Sequence, residues 1–328
     1  MTAQENLRIA LDGGVPESLP CFFVGSQIMT SSVIQNLPPL GQREGYDWWG
    51  VHWTASDSAS GNYSPTVGVP YLLTDITKWR EQVKFPDISG IDWEAVAAKD
   101  TQRIDRNNVT IFMGFYNGIF ERIHFLMGFE ETMMALMEEP EAVAELANAI
   151  ADFYVELVDK IGQYYKPEYF TLLDDYTHKT GSFMSPATFD KVFAPALKKV
   201  VDAVTRNGMK YIQHCCGREE LLLDNFYNIG IRRVDPCQPC NDVVAMRQRH
   251  PDMAFIGGLD VQGVFEVPGV TEEQLRAEVR RCAKEYGHMG GYVLYGATTC
   301  MHNPAAYAPG GIMNTLITEA VKCGMEGL

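Results

Sequence analysis

Residues 168–175, "EYFTLLDD", and residues 209–215, "MKYIQHC", flank the stretch "SPATFDKVFAPALKKVVDAVTRNG" at 185–208. The outer runs are short, apolar and rich in aromatic and branched residues, as a buried strand requires. The inner stretch carries helical periodicity. Ser185 followed by Pro186 makes a good helix start, and Gly208 suits a left-handed stop. The unit therefore reads strand, helix, strand.

The same rhythm extends in both directions. Strand-like runs recur as "VTIFMGF" (109–115), "IRRVDP" (231–236), "MAFIGGLD" (253–260) and "GYVLYGA" (291–297). Helical connectors include "GREELLLDNFYNIG" (217–230) and "TEEQLRAEVRRCAKEYG" (271–287). "LPCFFVG" (19–25) makes a seventh strand, and an eighth is expected within 66–76. Strands apolar on both faces that alternate with helices indicate a parallel sheet. The expected fold is α/β, a (β/α)8 TIM barrel with an aromatic-rich N-terminal elaboration. An open doubly wound sheet is the alternative, because periodicity does not by itself close a ring. The chain reads as one domain over 1–328. Residues 1–107 hold the first strand and the elaboration, and 108–328 hold the regular βα units.

All five tryptophans fall in the first hundred residues, and "REGYDWWGVHW" (43–53) is followed by a polar Ser/Gly/Pro-rich stretch. This segment reads as a cap that buries its aromatics on the barrel, and equally as the wall of an aromatic pocket. The formal net charge of −15, from 27 basic and 42 acidic residues, argues against a nucleic-acid partner, which needs clustered cations. The N-terminus lacks the basic and apolar regions of a signal peptide. The longest apolar run is broken by Glu121, Arg122 and His124, so no membrane span is expected. A cytoplasmic protein with reduced thiols is expected, in which close Cys and His suggest metal or catalysis.

In a parallel barrel, chemistry gathers at the C-terminal strand ends. Here those ends carry Asp174-Asp175, His214-Cys215-Cys216, Asp235 and Asp260, with Cys300 just past the last strand. His214 and Cys216 are two apart, so in an extended chain both point to one side and can reach one ion. Cys215 then faces the other way as a small buried filler. Cys300 as third ligand gives one nitrogen and two sulfurs, a set that suits zinc and leaves a position open. The plainer alternative is a buried histidine beside packed cysteines. The pair Cys237 and Cys240 sits in a Pro-rich turn without a matching second pair and reads as structural. His178 stands apart from the other histidines because it follows the rim residue Asp174, and it is a candidate substrate-binding residue.

These landmarks carry a resemblance. "LDDYTHKTGSFMSPATFDKVFAPALKKVVD", "YIQHCCG", "IGIRRVDPCQP", "FIGGLDVQ" and "GGYVLYGATTC" resemble the uroporphyrinogen decarboxylase superfamily, and its corrinoid-dependent methyltransferase branch more closely. The resemblance covers most of the chain and implies a (β/α)8 barrel. It also implies zinc held by a His-x-Cys pair and a distant cysteine, matched here by His214, Cys216 and Cys300. The decarboxylase itself uses arginines near the first strand, and "LPCFFVGSQIMTSSVIQNL" (19–37) has none. The N-terminal segment looks more like the methyltransferases of anaerobic O-demethylase systems. Those move a methyl group from a methoxylated aromatic compound to the cobalt(I) of a separate corrinoid protein.

What the resemblance implies in detail is an enzyme whose zinc polarises an aryl ether. Asp174, with Asp175 second, is the expected acid, and Trp48, Trp49, Tyr116 and Asn117 are expected to touch the ring. The chain lacks a cobalamin-binding histidine motif, so the corrinoid is expected on a partner that docks over the barrel mouth. A homodimer is common in the family. The alternative functions are methyl transfer from a methylcorrinoid protein to a thiol of the coenzyme M type, a decarboxylase-like activity, or a non-catalytic role beside a corrinoid protein.

Overall fold

The computed structural model describes residues 1–38, 42–55, 63–296 and 303–325. Strand β1 (Ser26–Met29) is followed by β2 (Glu44–Tyr46), β3 (His52–Ala55) and β4 (Tyr63–Pro65), which form a separate antiparallel ribbon. Then come β5 (Thr110–Phe115), β6 (Tyr169–Leu173), a small hairpin of β7 (Thr177–His178) and β8 (Gly181–Ser182), β9 (Lys210–His214), β10 (Arg233–Cys237), β11 (Ala254–Gly258) and β12 (Tyr292–Tyr295). The main sheet runs β1-β5-β6-β9-β10-β11-β12 with every neighbouring pair parallel.

The ring closes ahead of β1. Cys21 bridges Leu294 in parallel, and backbone bonds of 2.9 Å run from Phe22 N–H to the Leu294 carbonyl and from Leu294 N–H to the Pro20 carbonyl. The segment 20–29 thus serves both edges, touching β12 near Cys21 and β5 through β1. This corrects the expected eighth strand. Residues 66–76 carry no strand, and 63–65 belong to the outlying ribbon.

The helices are α1 (Ala3–Leu11), α2 (Trp79–Gln82), α3 (Trp93–Asp100), α4 (Ile119–Met127), α5 (Phe129–Glu138), α6 (Pro140–Lys160), α7 (Pro186–Val192), α8 (Ala194–Arg206), α9 (Leu223–Asn228), α10 (Val243–Arg249), α11 (Glu272–Tyr286) and α12 (Ile312–Met325). Ser185 caps α7 as expected, its hydroxyl accepting from Thr188 N–H. None of these helices is long and apolar enough to cross a membrane.

Two cores result. The larger lies between the sheet and its surrounding helices. The smaller fills the barrel with Phe22, Phe112, Tyr169, Ile212, Ile256, Val293 and Tyr295, and α1 closes its base with Leu7, Ala10 and Leu11. Burying each of those leucines contributes about 1.5–3 kcal/mol. Ion pairs orient the plug: Arg8 meets Glu168 through two bonds of 2.7 and 2.8 Å, and Asp12 accepts from Lys210 and Arg233. With its base plugged and its interior packed, the barrel offers its chemistry at the other end.

Candidate metal centre at the barrel mouth

The inward residue Ile212 fixes the geometry of β9. Two residues on, His214 points the same way, at the strand's last position. On β10, Asp235 pairs in register with His214. The His214 Nε2 atom lies 3.5 Å from Cys216 Sγ and 3.9 Å from Asp175 Oδ1. Asp175, His214 and Cys216 place one ligand atom each within 4.8 Å of one another, and this is the one such His/Cys/Asp/Glu group among the described residues.

The second ring nitrogen is also engaged. Asp235 Oδ1 is 3.3 Å from His214 Nδ1, is buried and has no other polar partner. A carboxylate there favours the tautomer with its proton on Nδ1, which turns the Nε2 lone pair toward Cys216 and Asp175. Without an ion, burial acts to lower the His214 pKa, but the charges of Asp235 and Cys216 outweigh it and hold the imidazole well above its ordinary value. Burial pushes the Cys216 thiol up, with His214 opposing.

Asp174 and Asp175 are sequence neighbours with different surroundings. Asp174 is fully buried, and its oxygens accept from the backbone N–H groups of Ile119, Phe120 and Glu121 at 2.8, 3.1 and 2.9 Å. The Tyr176 hydroxyl donates to it as well. It therefore caps the N-terminus of α4 from another strand, where a negative charge complements the helix dipole. Gly118 permits this approach, because a Cβ there would sit 2.4 Å from the Asp174 Cβ. Burial raises the Asp174 pKa to about 6 against those hydrogen bonds. Asp175 keeps partial exposure and accepts from Cys216 N–H at 2.6 Å, which ties it to the ligand loop.

The remaining expected residues scatter. Trp49 is buried, with its ring against Phe85, Phe153 and the Arg122 guanidinium, so it forms wall rather than contact surface. Trp48 packs edge-on against Phe153 and donates from its indole nitrogen to Asn36 Oδ1 at 2.6 Å. Asn117 adopts φ 63° and spends its Nδ2 on the Asn36 carbonyl at 2.7 Å, while Asn36 donates to the Tyr116 carbonyl. The Tyr116 ring stays exposed. His178 lies on the β7–β8 hairpin with its ring exposed beside Phe183 and Thr180. That hairpin presses on Gly217, whose φ of +95° and 2.6 Å clearance from His178 backbone leave no space for a side chain. Cys215 is buried and accepts from Tyr176 N–H. Cys300 lies outside the described residues.

A family model described as "Uroporphyrinogen decarboxylase (URO-D)" matches residues 60–300. The chain belongs to the uroporphyrinogen decarboxylase family. No curated protein matches this family member in sequence. Among solved structures, a methyltransferase from Methanosarcina mazei superposes with TM-score 0.69 at 11% identity, covering 98% of this chain and 99% of that one. The two share their fold over essentially full length. Xylanase B from Clostridium stercorarium F9 reaches TM-score 0.37 at 10% identity, covering 64% of this chain and 73% of that one, too low to bear on chemistry.

In this uroporphyrinogen decarboxylase family member the donor set fits a divalent ion of borderline softness. One imidazole, one thiol and one carboxylate converge, and zinc accepts all three types. The orphaned Asp235 oxygen behind His214 is the outer partner that a metal-bound histidine requires. In sequence Asp235 reads only as a polar strand end, because its role depends on the β9–β10 register. Glu121 reads in sequence only as a break in an apolar run, yet burial first, then the charges of Asp175 and Asp174, lift its carboxyl well above the ordinary range.

Proposed function

We propose that this chain is a zinc-dependent methyltransferase that moves a methyl group from a methoxylated aromatic compound to the cobalt(I) of a separate corrinoid protein. The observation that carries this reading is the convergence of Asp175, His214 and Cys216 at the open end of a barrel. Membership of the family and the full-length likeness in fold to a methyltransferase support it. So does the first-strand segment 19–37, which has no arginine to hold a polycarboxylate substrate.

In this reading His214 Nε2, Cys216 Sγ and Asp175 would hold the ion, with Cys300 proposed as a further sulfur ligand. Zinc there would supply Lewis-acid polarisation of the ether oxygen. The chain's own residues do the rest. Asp235 keeps the His214 lone pair aimed at the site. Asp174, committed to the α4 N-terminus, holds the strand end on which Asp175 sits, so it acts as a positioning residue rather than the acid. Transfer of the methyl carbon to cobalt(I) would leave the bonding pair of the broken C–O bond on the aryl oxygen. The corrinoid arrives on its own protein at the barrel mouth.

The test combines metal analysis with cobalt absorbance. Purified protein is expected to carry zinc that His214→Ala and Cys216→Ala lose, and to demethylate methoxybenzoates when given a reduced corrinoid protein. Equal zinc in wild type and variants overturns the ligand set. Turnover with thiols but not aryl ethers moves the assignment to thiol methylation.

A further inference from the structure

β9 ends at His214, and one further backbone bond, from Cys215 N–H to the Asp235 carbonyl at 2.7 Å, follows it. Cys216 therefore lies beyond the sheet's own ladder, on a loop that turns at Gly217. Alternation along a strand no longer fixes its direction there, so other contacts must hold the loop and satisfy its backbone. The segment leading from β6 into the β7–β8 hairpin holds one side. Asp175 accepts from Cys216 N–H, and the Thr177 hydroxyl donates to the Cys216 carbonyl at 2.6 Å. The turn after β10, within "DPCQPCND" (235–242), holds the other. Gln238 Oε1 accepts from Gly217 N–H at 2.8 Å. Asn241 is buried, donates from Nδ2 to the Gly217 carbonyl at 2.8 Å and accepts from Glu220 N–H through Oδ1 at 3.1 Å. Asp242 N–H returns to Glu220 Oε2 at 2.9 Å. Both backbone polar groups of Gly217 are thus met by side chains of a single turn.

We propose that Gln238 and Asn241 are positioning residues for the metal centre, clamping Gly217 so that Cys216 Sγ stays beside His214 Nε2. This rests on the zinc reading and gives the Cys237–Cys240 turn a role carried by the residues next to its thiols. A loop already held in its ligand geometry need not be ordered when the ion arrives, so the clamp raises affinity without touching the metal. Outer groups that orient metal ligands are worth about 10–100-fold in affinity.

The experiment measures zinc affinity of the purified full chain by competition with a chromophoric chelator. It also records the near-ultraviolet sulfur-to-metal band of the cobalt(II)-substituted protein. Gln238→Met, which keeps side-chain length and loses the acceptor, is expected to bind zinc about 10–100-fold more weakly and to alter the band. Gln238→Glu, which keeps an acceptor oxygen for Gly217 N–H, is expected to stay within about threefold of wild type. The thermal midpoint of metal-free Gln238→Met is expected to lie within about 4 °C of wild type. A lower midpoint with unchanged affinity and band marks a merely structural bond and overturns the proposal. So does equal weakening by Gln238→Met and Gln238→Glu. Asn241→Ala is expected to weaken zinc at least as much as Gln238→Met, and should it not fold, the two Gln238 variants decide. Wild type that binds no zinc overturns the metal centre and the clamp together, whereas tight binding unaffected by Gln238→Met overturns the clamp alone.

Discussion

The mouth of β6, β9 and β10 and the tryptophan-rich N-terminal segment are both dense in functional-looking residues, but they use them differently. At the mouth, His214 Nε2, Cys216 Sγ and an Asp175 oxygen converge with capacity to spare. In the N-terminal segment the charged and aromatic groups pack on one another, and the atoms left without a hydrogen bond, such as Trp49 Nε1 and Arg122 Nε, are sealed inside the packing. Asp47 Oδ1 accepts from Trp49 and Val51 N–H, its Oδ2 meets Arg122 Nη1 at 2.6 Å with both side chains fully buried, and Arg122 lies over the Trp49 ring. A dense cluster is a site only where ligand atoms converge and stay within reach of a guest. Where they are sealed in packing, it is a wall.

Substitution separates the two regions. The largest effect belongs to the mouth: Cys216→Ala or His214→Ala should remove essentially all stoichiometric zinc while the purified protein stays folded. Metal analysis alongside circular dichroism checks this, and zinc retained by both variants erases the distinction. In the wall, Arg122→Met strands the buried Asp47 carboxylate and should cost about 3–5 kcal/mol in urea unfolding, with zinc per folded molecule unchanged.

A third contrast concerns pH. Glu219 is fully buried just past the ligand loop, its oxygens make no hydrogen bond of ordinary geometry, and burial pushes its pKa to about 8. Its folded pKa exceeds the unfolded one, so the native state keeps a proton that the unfolded chain has released. Stability therefore falls as pH rises from about 4.5 to 8 and levels off above. Glu219→Gln removes that slope. Relative to wild type it should be more stabilising at pH 8 than at pH 5, by about 2–4 kcal/mol. Equal effects at the two pH values contradict the buried acid.

The neighbours Asp174 and Asp175 give a sharper version of the same comparison. Asp174→Asn should lose about 2 kcal/mol of stability through the weakened cap on α4. Asp175→Asn should leave stability within about 1 kcal/mol but lower zinc affinity. Unchanged stability in Asp174→Asn together with lost methyl transfer would return Asp174 to the acid role. The smallest effect is expected from Trp48→Phe, which loses the bond to Asn36 and about 1 kcal/mol, with the proposed demethylation unchanged.

The barrel was legible because a strand buried on both faces must be apolar throughout, and a helix between two such strands must show its own period. His214 and Cys216 were legible for a related reason: residues two apart in an extended chain share a side, whatever surrounds them. Beyond the strand ends that regularity stops. Nothing local says that Asp174 turns back to cap α4 while Asp175 stays at the mouth, because the difference depends on where a helix from another part of the chain begins. The Asp235 contact needs the β9–β10 register, and closure of the ring through Cys21 and Leu294 needs the first segment to meet the last strand. Trp49 sits in a segment that reads both as a cap and as a pocket wall, and only its packing against Phe85, Phe153 and Arg122 assigns it. Chain periodicity and residue chemistry are set by nearest neighbours and can be read in one dimension. Which valences remain unspent is set by long-range contacts, and that was decided only when the chain folded.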